Sequence, residues 1–406
     1  MDQAPKDVPS GSVVLRKGRV RPIHSGHPWV FAGAVSNVVG QPEAGDPVWV
    51  VDPDKKVLGW GVFSPNSGFR VRMWGYDQSS EGVSVNRTIE LRIRQALERR
   101  VRLGIPSGDT NAYRLINAEG DRLPGLTVDV LGDVASVRHG SAALWSRRKL
   151  VAQLLRDILS LNDVVHRVDD QVADLEQIYG IEHVDGDSDR TEYVACFQEN
   201  GIQYEVDLLR SQKTGHYLDQ QVNRARLATL CKGANVLDLC TSTGGFALNA
   251  AKAGARRVLG VDSSKVMVEY AKKNAALNNL NNIEFMAEDA IRVCRTFPPN
   301  SFDIVVLDPP KLVKSKKAQV QGLKKYEAMN TAALRLVTDE GLFMSYSCSG
   351  HVDGSMFSRM LTDVARKTGR ILHVHEELGA GMDHPVVTAA PEGRYLKGIL
   401  GAVSSR

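Results

Sequence analysis

At 406 residues the chain has room for roughly two or three domains, and its 43% apolar and 24% charged residues are those of an ordinary soluble globular protein. No apolar run approaches the ~20 residues of a membrane span, and no basic segment followed by an apolar core marks the N-terminus as a secretory signal. The formal net charge is only +4, yet 14 Lys and Arg against 8 Asp and Glu lie between Ser10 and Gly104, which points to an anionic partner at that end.

Residues 10-80 carry short alternating apolar runs punctuated by Gly and Pro. Val13–Leu15, Val48–Val51, Val57–Phe63 and Phe69–Trp74 read as strands, and strands this short and close make a small β-barrel. Four of the five tryptophans fall here, interleaved with Arg19, Arg21, Arg70 and Arg72. Most of these indoles are expected in the barrel core. Aromatic planes beside guanidinium groups also suit RNA, and Arg19, Arg21 and Trp29 are the candidate contacts. The polar stretch Gln78–Gly82 ends the segment.

A second region, 84-192, opens on a charged amphipathic helix over Asn86–Leu103, with Ile89, Ile93, Leu97 and Val101 at i, i+4 spacing. Strands follow across Tyr113–Val137, broken at Glu119-Gly120-Asp121 and Leu131-Gly132-Asp133, and then a helix over Ala142–Leu159. The third region, 193-406, begins with Asn200-Gly201 between the alternating runs Tyr193–Phe197 and Ile202–Val206, a strong β-hairpin signal. From Ala234 the strands Val236–Leu239, Arg257–Val261, Ile283–Met286, Ile304–Leu307 and Leu342–Tyr346 alternate with helices. Those helices lie at Ala247–Lys252, Lys265–Asn278, Tyr326–Leu336 and Met356–Lys367. This is the pattern of an α/β fold with a doubly wound parallel sheet, and Ile371–His375 and Tyr395–Leu400 are placed to close one edge.

The five cysteines (Cys196, Cys231, Cys240, Cys294, Cys348) include no C-x-x-C pair and no histidine at ligand spacing. That excludes a structural zinc and a disulfide framework, so no metal is expected and the compartment is a reducing one. The cytoplasm is the expected location, or an organelle where a transit peptide has been removed. Cys196, Cys231 and Cys294 read as structural.

Val236–Phe246 is a strand, a small-residue turn and a helix opening. Gly244 and Gly245 let the backbone approach a ligand and aim helix N–H groups at it. The G-x-G-x-x-G of a dinucleotide site is absent. Acids instead end successive strands: Asp238, then Asp262 where a ribose-binding carboxylate belongs, then Asp289. With Asp308 on a fourth strand, this set suits S-adenosylmethionine, which has a cationic amino acid part, a ribose diol and an adenine, and no phosphate. Cys240, Thr241, Ser242, Ser263 and Ala290 complete the expected lining.

Asp308-Pro309-Pro310-Lys311 follows the apolar run Ile304–Leu307. The prolines make the strand exit extended and stiff, with a carboxylate and carbonyls facing the end of the sheet where ligands bind. Such an edge suits a planar nucleobase, with Pro309, Pro310 and Lys311 as its contacts. Ser347-Cys348-Ser349-Gly350 ends the next strand. C5 of a pyrimidine is a poor nucleophile, but attack of a thiolate at C6 makes C5 nucleophilic enough to take a methyl group. Cys348 is therefore the candidate nucleophile; if the pyrimidine is cytosine, protonation at N3 or hydrogen bonding to N3 and N4 favours the attack, and Asp308 is the candidate for that role.

With these residues in hand, the chain resembles the ribosomal RNA large-subunit methyltransferase family that makes 5-methylcytosine. The resemblance covers nearly the whole length. It rests on Gly26-His27-Pro28-Trp29-Val30-Phe31, Gly61-Val62-Phe63-Ser64-Pro65, Tyr113-Arg114-Leu115-Ile116 and Leu123-Pro124-Gly125-Leu126. It continues through Lys213–Gln220, the Gly-Gly turn, Asp308–Lys311, Ser347–Gly350, Asp383-His384-Pro385 and Pro391-Glu392-Gly393. The resemblance implies an N-terminal PUA-like barrel, a central α/β region with a β-hairpin, and a C-terminal Rossmann-like class I methyltransferase domain. It further implies S-adenosylmethionine as cofactor, ribosomal RNA as partner, a homodimer, and Thr214, Tyr217 and Asp219 in the cofactor pocket. Thr241-Ser242-Thr243-Gly244 departs from the family pattern, which has an aromatic within this turn. Three alternatives stay open at this level: a uracil-C5 methyltransferase, an exocyclic-amine methyltransferase that needs no cysteine, and a non-catalytic RNA-binding protein on the same fold.

Overall fold

A computed structural model describes residues 5–76, 83–179, 184, 192–210 and 215–406. The chain forms two compact units. The first comprises Met1–Ala195, Asp207–Gly215 and Met382–Gly393; the second comprises Cys196–Val206, His216–Gly381 and Arg394–Arg406. Among the described residues no helix is long and apolar enough to cross a membrane.

In the first unit β1 (Ser12–Leu15), β2 (Trp29–Phe31), β3 (Val35–Val39), β4 (Pro47–Val51), β5 (Val57–Phe63) and β6 (Phe69–Gly75) form one sheet in the order β2-β6-β5-β4-β1-β3. A short helix α1 (Arg21–His24) interrupts it, started by a proline in its first turn. Gly59 and Gly61 let β5 lie tightly on β6. A Cβ at Gly59 would sit 2.2 Å from the Gly75 carbonyl oxygen, and one at Gly61 2.1 Å from that of Arg72. Trp60 and Trp74 are buried, but in the core shared with the central sheet, and Trp29 and Trp49 are half-buried, so the expectation that most of these indoles fill the barrel's own core does not hold. Arg72 turns inward and pairs with Glu176 at 2.8 Å, so it offers nothing to RNA.

The helix α2 (Val85–Arg102) packs on a four-stranded sheet of β7 (Ala112–Asn117), β8 (Leu126–Leu131), β9 (Val134–His139) and β10 (Asp163–Arg167), in the order β10-β9-β8-β7. Val101 is 62% exposed, contrary to the i, i+4 reading. Each four-residue step overshoots a turn by about 40°, so three steps from Ile89 leave the buried face. That face is completed instead by Val85, Ala96 and Arg100. The single helix expected over Ala142–Leu159 is two, α3 (Ala142–Trp145) and α4 (Arg148–Leu159), separated where Arg147 leaves helical space. A further helix α5 (Asp170–Glu176) carries Glu176. Trp60, Val62 and Trp74 share one core with Ile89, Tyr113 and Val128, so barrel and central sheet are packed together.

The second unit holds the hairpin β11 (Val194–Glu199) and β12 (Ile202–Asp207), whose turn residues Asn200 and Gly201 have φ of 51° and 72°. Positive φ at both central positions is what a two-residue hairpin turn of this hand requires. The helix α6 (Gln221–Ala228) leads into β13 (Asn235–Leu239), α7 (Gly245–Lys252), β14 (Arg257–Asp262), α8 (Lys265–Leu277), β15 (Ile283–Ala287) and α9 (Ala290–Thr296). The chain then returns through β16 (Phe302–Leu307), α10 (Gln319–Leu334), β17 (Val337–Ser347), α11 (Gly354–Thr368), β18 (Arg370–Leu378) and β19 (Lys397–Ser405).

The sheet order is β15-β14-β13-β16-β17-β19-β18. The first five strands are parallel, as the strand–helix alternation implies, and the two further strands close one edge, β19 running antiparallel to both β17 and β18 so that the sheet as a whole is mixed. Leu237, Leu239, Val305 and Leu307 pack on one face, and Val236, Ile304, Val306 and Met344 on the other. Both faces are thus apolar, which is why these strands read as continuous hydrophobic runs. The strand order reverses between β13 and β16, and ligands of such sheets sit at that switch point.

Candidate active site

The turn after β13 is held in a conformation few side chains adopt. Cys240, Ser242 and Gly244 have φ of 66°, 52° and 93°. Positive φ at two non-glycine residues costs of order 1–3 kcal/mol each and persists where the surroundings over-determine it. Those surroundings are two carboxylates. Asp262 accepts from the backbone N–H of Ser242 and of Ser264, both at 2.9 Å, fastening the turn to β14. Asp238 lies under the turn, fully buried, and its Oδ2 accepts from Thr241 Oγ1 at 2.6 Å and from the Ala247 N–H at 3.0 Å. Its Oδ1 is buried with no hydrogen-bond partner among the described residues. Burial pushes this carboxyl up to about 6, and the hydrogen bonds from Thr241 and Ala247 only partly offset that.

The four strand-end acids converge. Burial raises the Cys240 thiol well above its ordinary range, and Asp262, Asp308, Asp238 and Asp289 each add to the rise. One side chain in the turn therefore feels all four. Their surroundings differ: Asp289 is exposed and caps α9 through the Arg292 N–H at 2.9 Å, with Ala290 as the first helical residue. Ser263 is exposed, whereas Thr241, Gly244 and Gly245 are buried and Ser242 is half-buried.

The segment around α6 approaches this turn, with Arg224 Cδ 3.0 Å from where a Cβ at Gly245 would stand. Tyr217 is half-buried, and its phenol is raised by burial and then by Asp308, Cys348, Asp219 and Asp262. Asp219 is buried and accepts from Tyr395 Oη at 2.6 Å. Behind the loop, Arg224 forks onto Glu199 at 2.7 and 2.6 Å and donates to the Tyr217 carbonyl at 2.9 Å. His216 lies 3.2 Å from the same carboxylate. Lys213 and Thr214 lie outside the described residues.

At the end of β16 the chain is laced to the ends of β13 and β17. The Asp308 N–H donates to the Leu239 carbonyl at 3.2 Å, and the Val313 N–H donates to Ser349 Oγ at 3.1 Å. Ser349 Oγ also meets Tyr326 Oη at 2.9 Å. The Cys348 sulfur lies 3.9 Å from the Pro309 carbonyl oxygen, so the two motifs share one edge. Asp308 and Cys348 are half-buried and Pro310 and Lys311 exposed, but Pro309 is buried: it offers a ligand its backbone and no proline face.

Cys231 and Cys294 are buried thiols pushed up to about 12 by burial, in line with a structural reading. Cys196 is exposed, against the expectation that it is structural, because it lies on the outward-facing register of β11. Arg19, Arg21 and Trp29 belong to the other unit. Both arginines are exposed, while Trp29 packs on Phe69 at 4.4 Å and donates to Glu119 at 3.0 Å. Among the described residues no group of three or more His, Cys, Asp or Glu is placed to hold a metal.

Residues 13–75 match a family model described as a PUA-like domain, and residues 230–382 one described as a methyltransferase domain. The ribosomal RNA large subunit methyltransferase I of Aeromonas hydrophila is 36% identical over 395 residues, covering 96% of this chain and 99% of that protein. The chain belongs to the ribosomal RNA large subunit methyltransferase I family. Among solved structures, a Streptococcus mutans protein described as a SAM-dependent methyltransferase superposes with a TM-score of 0.79 at 20% identity, covering 96% of this chain and 99% of that one. Another, described as a methyltransferase and solved with SAH, gives 0.79 at 19% identity with the same coverage. At such identities these two show the fold alone.

As a member of the methyltransferase I family the chain is an enzyme, a transferase of one-carbon groups. Several residues of its site escape a reading of the sequence. Glu199 and Arg224 sit on a hairpin and a helix whose local patterns say nothing of a cofactor loop. Tyr395 lies just past Pro391-Glu392-Gly393 and two residues before β19, and Lys397 opens that strand, which in the sequence is legible only as a sheet edge expected to start at Tyr395. The one available signal was a tyrosine and a lysine leading into an otherwise apolar run.

Proposed function

We propose that the enzyme transfers the methyl group of S-adenosylmethionine to C5 of a cytosine in large-subunit ribosomal RNA, with Cys348 as nucleophile and Asp308 holding the ring. The observation that carries this reading is the approach of the Cys348 sulfur to within 3.9 Å of the Pro309 carbonyl, the residue after Asp308. A thiol and an acid are thereby offered to one planar ligand.

The donor set fits the cofactor. A buried carboxylate oxygen without a partner, on Asp238, suits a cationic amino group. Asp262 retains lone pairs for ribose hydroxyls beyond the two backbone N–H groups it serves. Thr214, Tyr217, Asp219, Cys240, Thr241, Ser242, Gly244, Gly245, Ser263, Asp289 and Ala290 complete the lining in this reading. S-adenosylmethionine supplies an electrophilic methyl group when bound. The protein supplies the rest.

Attack of the Cys348 thiolate forms the Sγ–C6 bond and delivers an electron pair to C5, aided by Asp308 at N3 and N4. C5 takes the methyl group. A base then takes the C5 proton, the C5–H bond pair re-forms the C5=C6 double bond, and the Sγ–C6 bond breaks with its pair on the sulfur. The base must first be unstacked, at roughly a few kcal/mol, and the basic barrel over 10-80, with Arg19 and Arg21, supplies binding energy for that.

The test compares wild type with Cys348→Ala on ribosomal RNA, with labelled cofactor and mapping of the product base. The variant is expected to bind cofactor normally by calorimetry and to transfer no methyl group. Full transfer by the variant would falsify the covalent route, and label on uracil would move the target to the other pyrimidine.

A further inference from the structure

We infer that Lys397 is a positioning residue for the nucleophile: its ammonium, held beside Cys348 by two backbone carbonyls, stabilises the thiolate that attacks the base. This rests on the reading of Cys348 as nucleophile.

The placement follows from the sheet. β19 runs antiparallel to β17 with Lys397 directly opposite Ser347, one residue before Cys348. The Lys397 Nζ donates to the Ser349 carbonyl at 2.7 Å and to the Tyr395 carbonyl at 2.6 Å. The first carbonyl belongs to the residue after Cys348. The second belongs to the tyrosine whose hydroxyl holds Asp219. One half-buried ammonium thus ties the cysteine turn to the loop that carries Tyr217.

Two neutral acceptors orient an ammonium without neutralising it, and a cation removed from water needs an anion within reach. Cys348 and Asp353 are the groups whose charge favours it, and Lys311 opposes it. Burial brings Lys397 down to about 8, so it still carries its charge near neutral pH. The Cys348 thiol in turn faces Tyr217 from the loop before α6, Tyr326 from α10 and Lys397 from β19. Of these three Lys397 is the cation, both phenols being raised by burial; the end of β16, whose Pro309 carbonyl meets the sulfur, adds Asp308 and Lys311, and Lys311 is exposed to solvent while Lys397 is half-buried. Attraction between ammonium and thiolate is mutual, so a cysteine that sustains the lysine's charge is itself favoured as thiolate.

The role is electrostatic. The thiol proton leaves to solvent, the sulfur pair forms the bond to C6, and the same charge receives the thiolate again when that bond breaks. A packing role would need the butyl chain; this one needs the charge.

The experiment follows alkylation of Cys348 by iodoacetamide against pH, read on the Cys348 peptide by mass spectrometry, in the full chain and in Lys397→Met, Lys397→Gln and Lys397→Arg. Loss of the charge is expected to slow alkylation at pH 7 by about tenfold and to move the profile up by about one pH unit. Lys397→Gln keeps a donor for the carbonyls and should behave as Lys397→Met, while Lys397→Arg should stay near wild type. Should Lys397→Met not fold, the Gln and Arg pair decides. A Lys397→Gln profile superimposable on wild type overturns the inference, even if methyl transfer falls. Activity in Cys348→Ala would overturn the nucleophile itself, so the two failures are distinguishable.

Discussion

Two buried acids of the methyltransferase unit, Glu199 and Asp238, are solved in opposite ways. Glu199 is fully satisfied: Arg224 grips both oxygens and His216 adds a third contact. Burial would push its carboxyl up, but Arg224 and then His216 outweigh it and hold it at about 2. Asp238 is half satisfied, with one oxygen bonded and one bare, and burial holds it at about 6. A paired acid belongs to the scaffold. An acid left wanting a cation, beside a strained turn, suits the cationic ligand proposed for it.

The contrast breaks most visibly at Arg224. Arg224→Met leaves Glu199 buried without its cation and frees the Tyr217 carbonyl, and should cost about 3–5 kcal/mol in chemical denaturation. Wild-type stability measured against pH separates the two acids by sign. Glu199, depressed from 4.5, contributes stability present above pH 4.5 and lost as pH falls toward 2. Asp238, raised from 3.8, works the other way, since the fold binds its proton more tightly than the unfolded chain and loses stability as pH rises from 3.8 to 6. Arg224→Met should abolish the first slope and leave the second.

Asp238→Asn sharpens the comparison from the other side. The asparagine oxygen can accept both existing hydrogen bonds while the buried charge disappears. The melting temperature at pH 7.5 should therefore hold or rise, while S-adenosylmethionine affinity by calorimetry drops about tenfold or more. Wild-type affinity should weaken as pH falls through 6, a dependence absent from the variant. The smallest effect is expected at Asp289→Ala, where loss of the α9 cap costs about 1 kcal/mol. A larger loss in cofactor affinity than in stability there would mark Asp289 as a ligand contact as well as a cap.

The contrast also explains what was legible. Asp238, Asp262 and Asp308 stand at the ends of strands whose apolar runs are unmistakable, so their convergence follows from a parallel sheet with known strand order. Cys348 was legible for the same reason: β16 and β17 pair in register, Leu307 against Ser345, which brings the two strand ends together. Arg224 was not legible. It sits on a short helix with a weak apolar pattern, and its partner lies 25 positions earlier on a hairpin. Nor did the sequence disclose that Arg72 is spent on Glu176, 104 positions away, or that Cys196 faces outward.

Local rules therefore determined the elements, the Asn200-Gly201 turn, the glycine turn at Gly244 and the strand ends where chemistry gathers. Their cause is short-range: backbone sterics and the burial of every apolar run. The tertiary structure alone decided which acid is neutralised and which is left wanting, and which lysine stands beside the cysteine. Lys397 reaches the Ser349 carbonyl, one residue past Cys348, because β19 inserts antiparallel between β17 and β18. Charge acts through space with little regard for sequence distance, and only the packed sheet sets those distances.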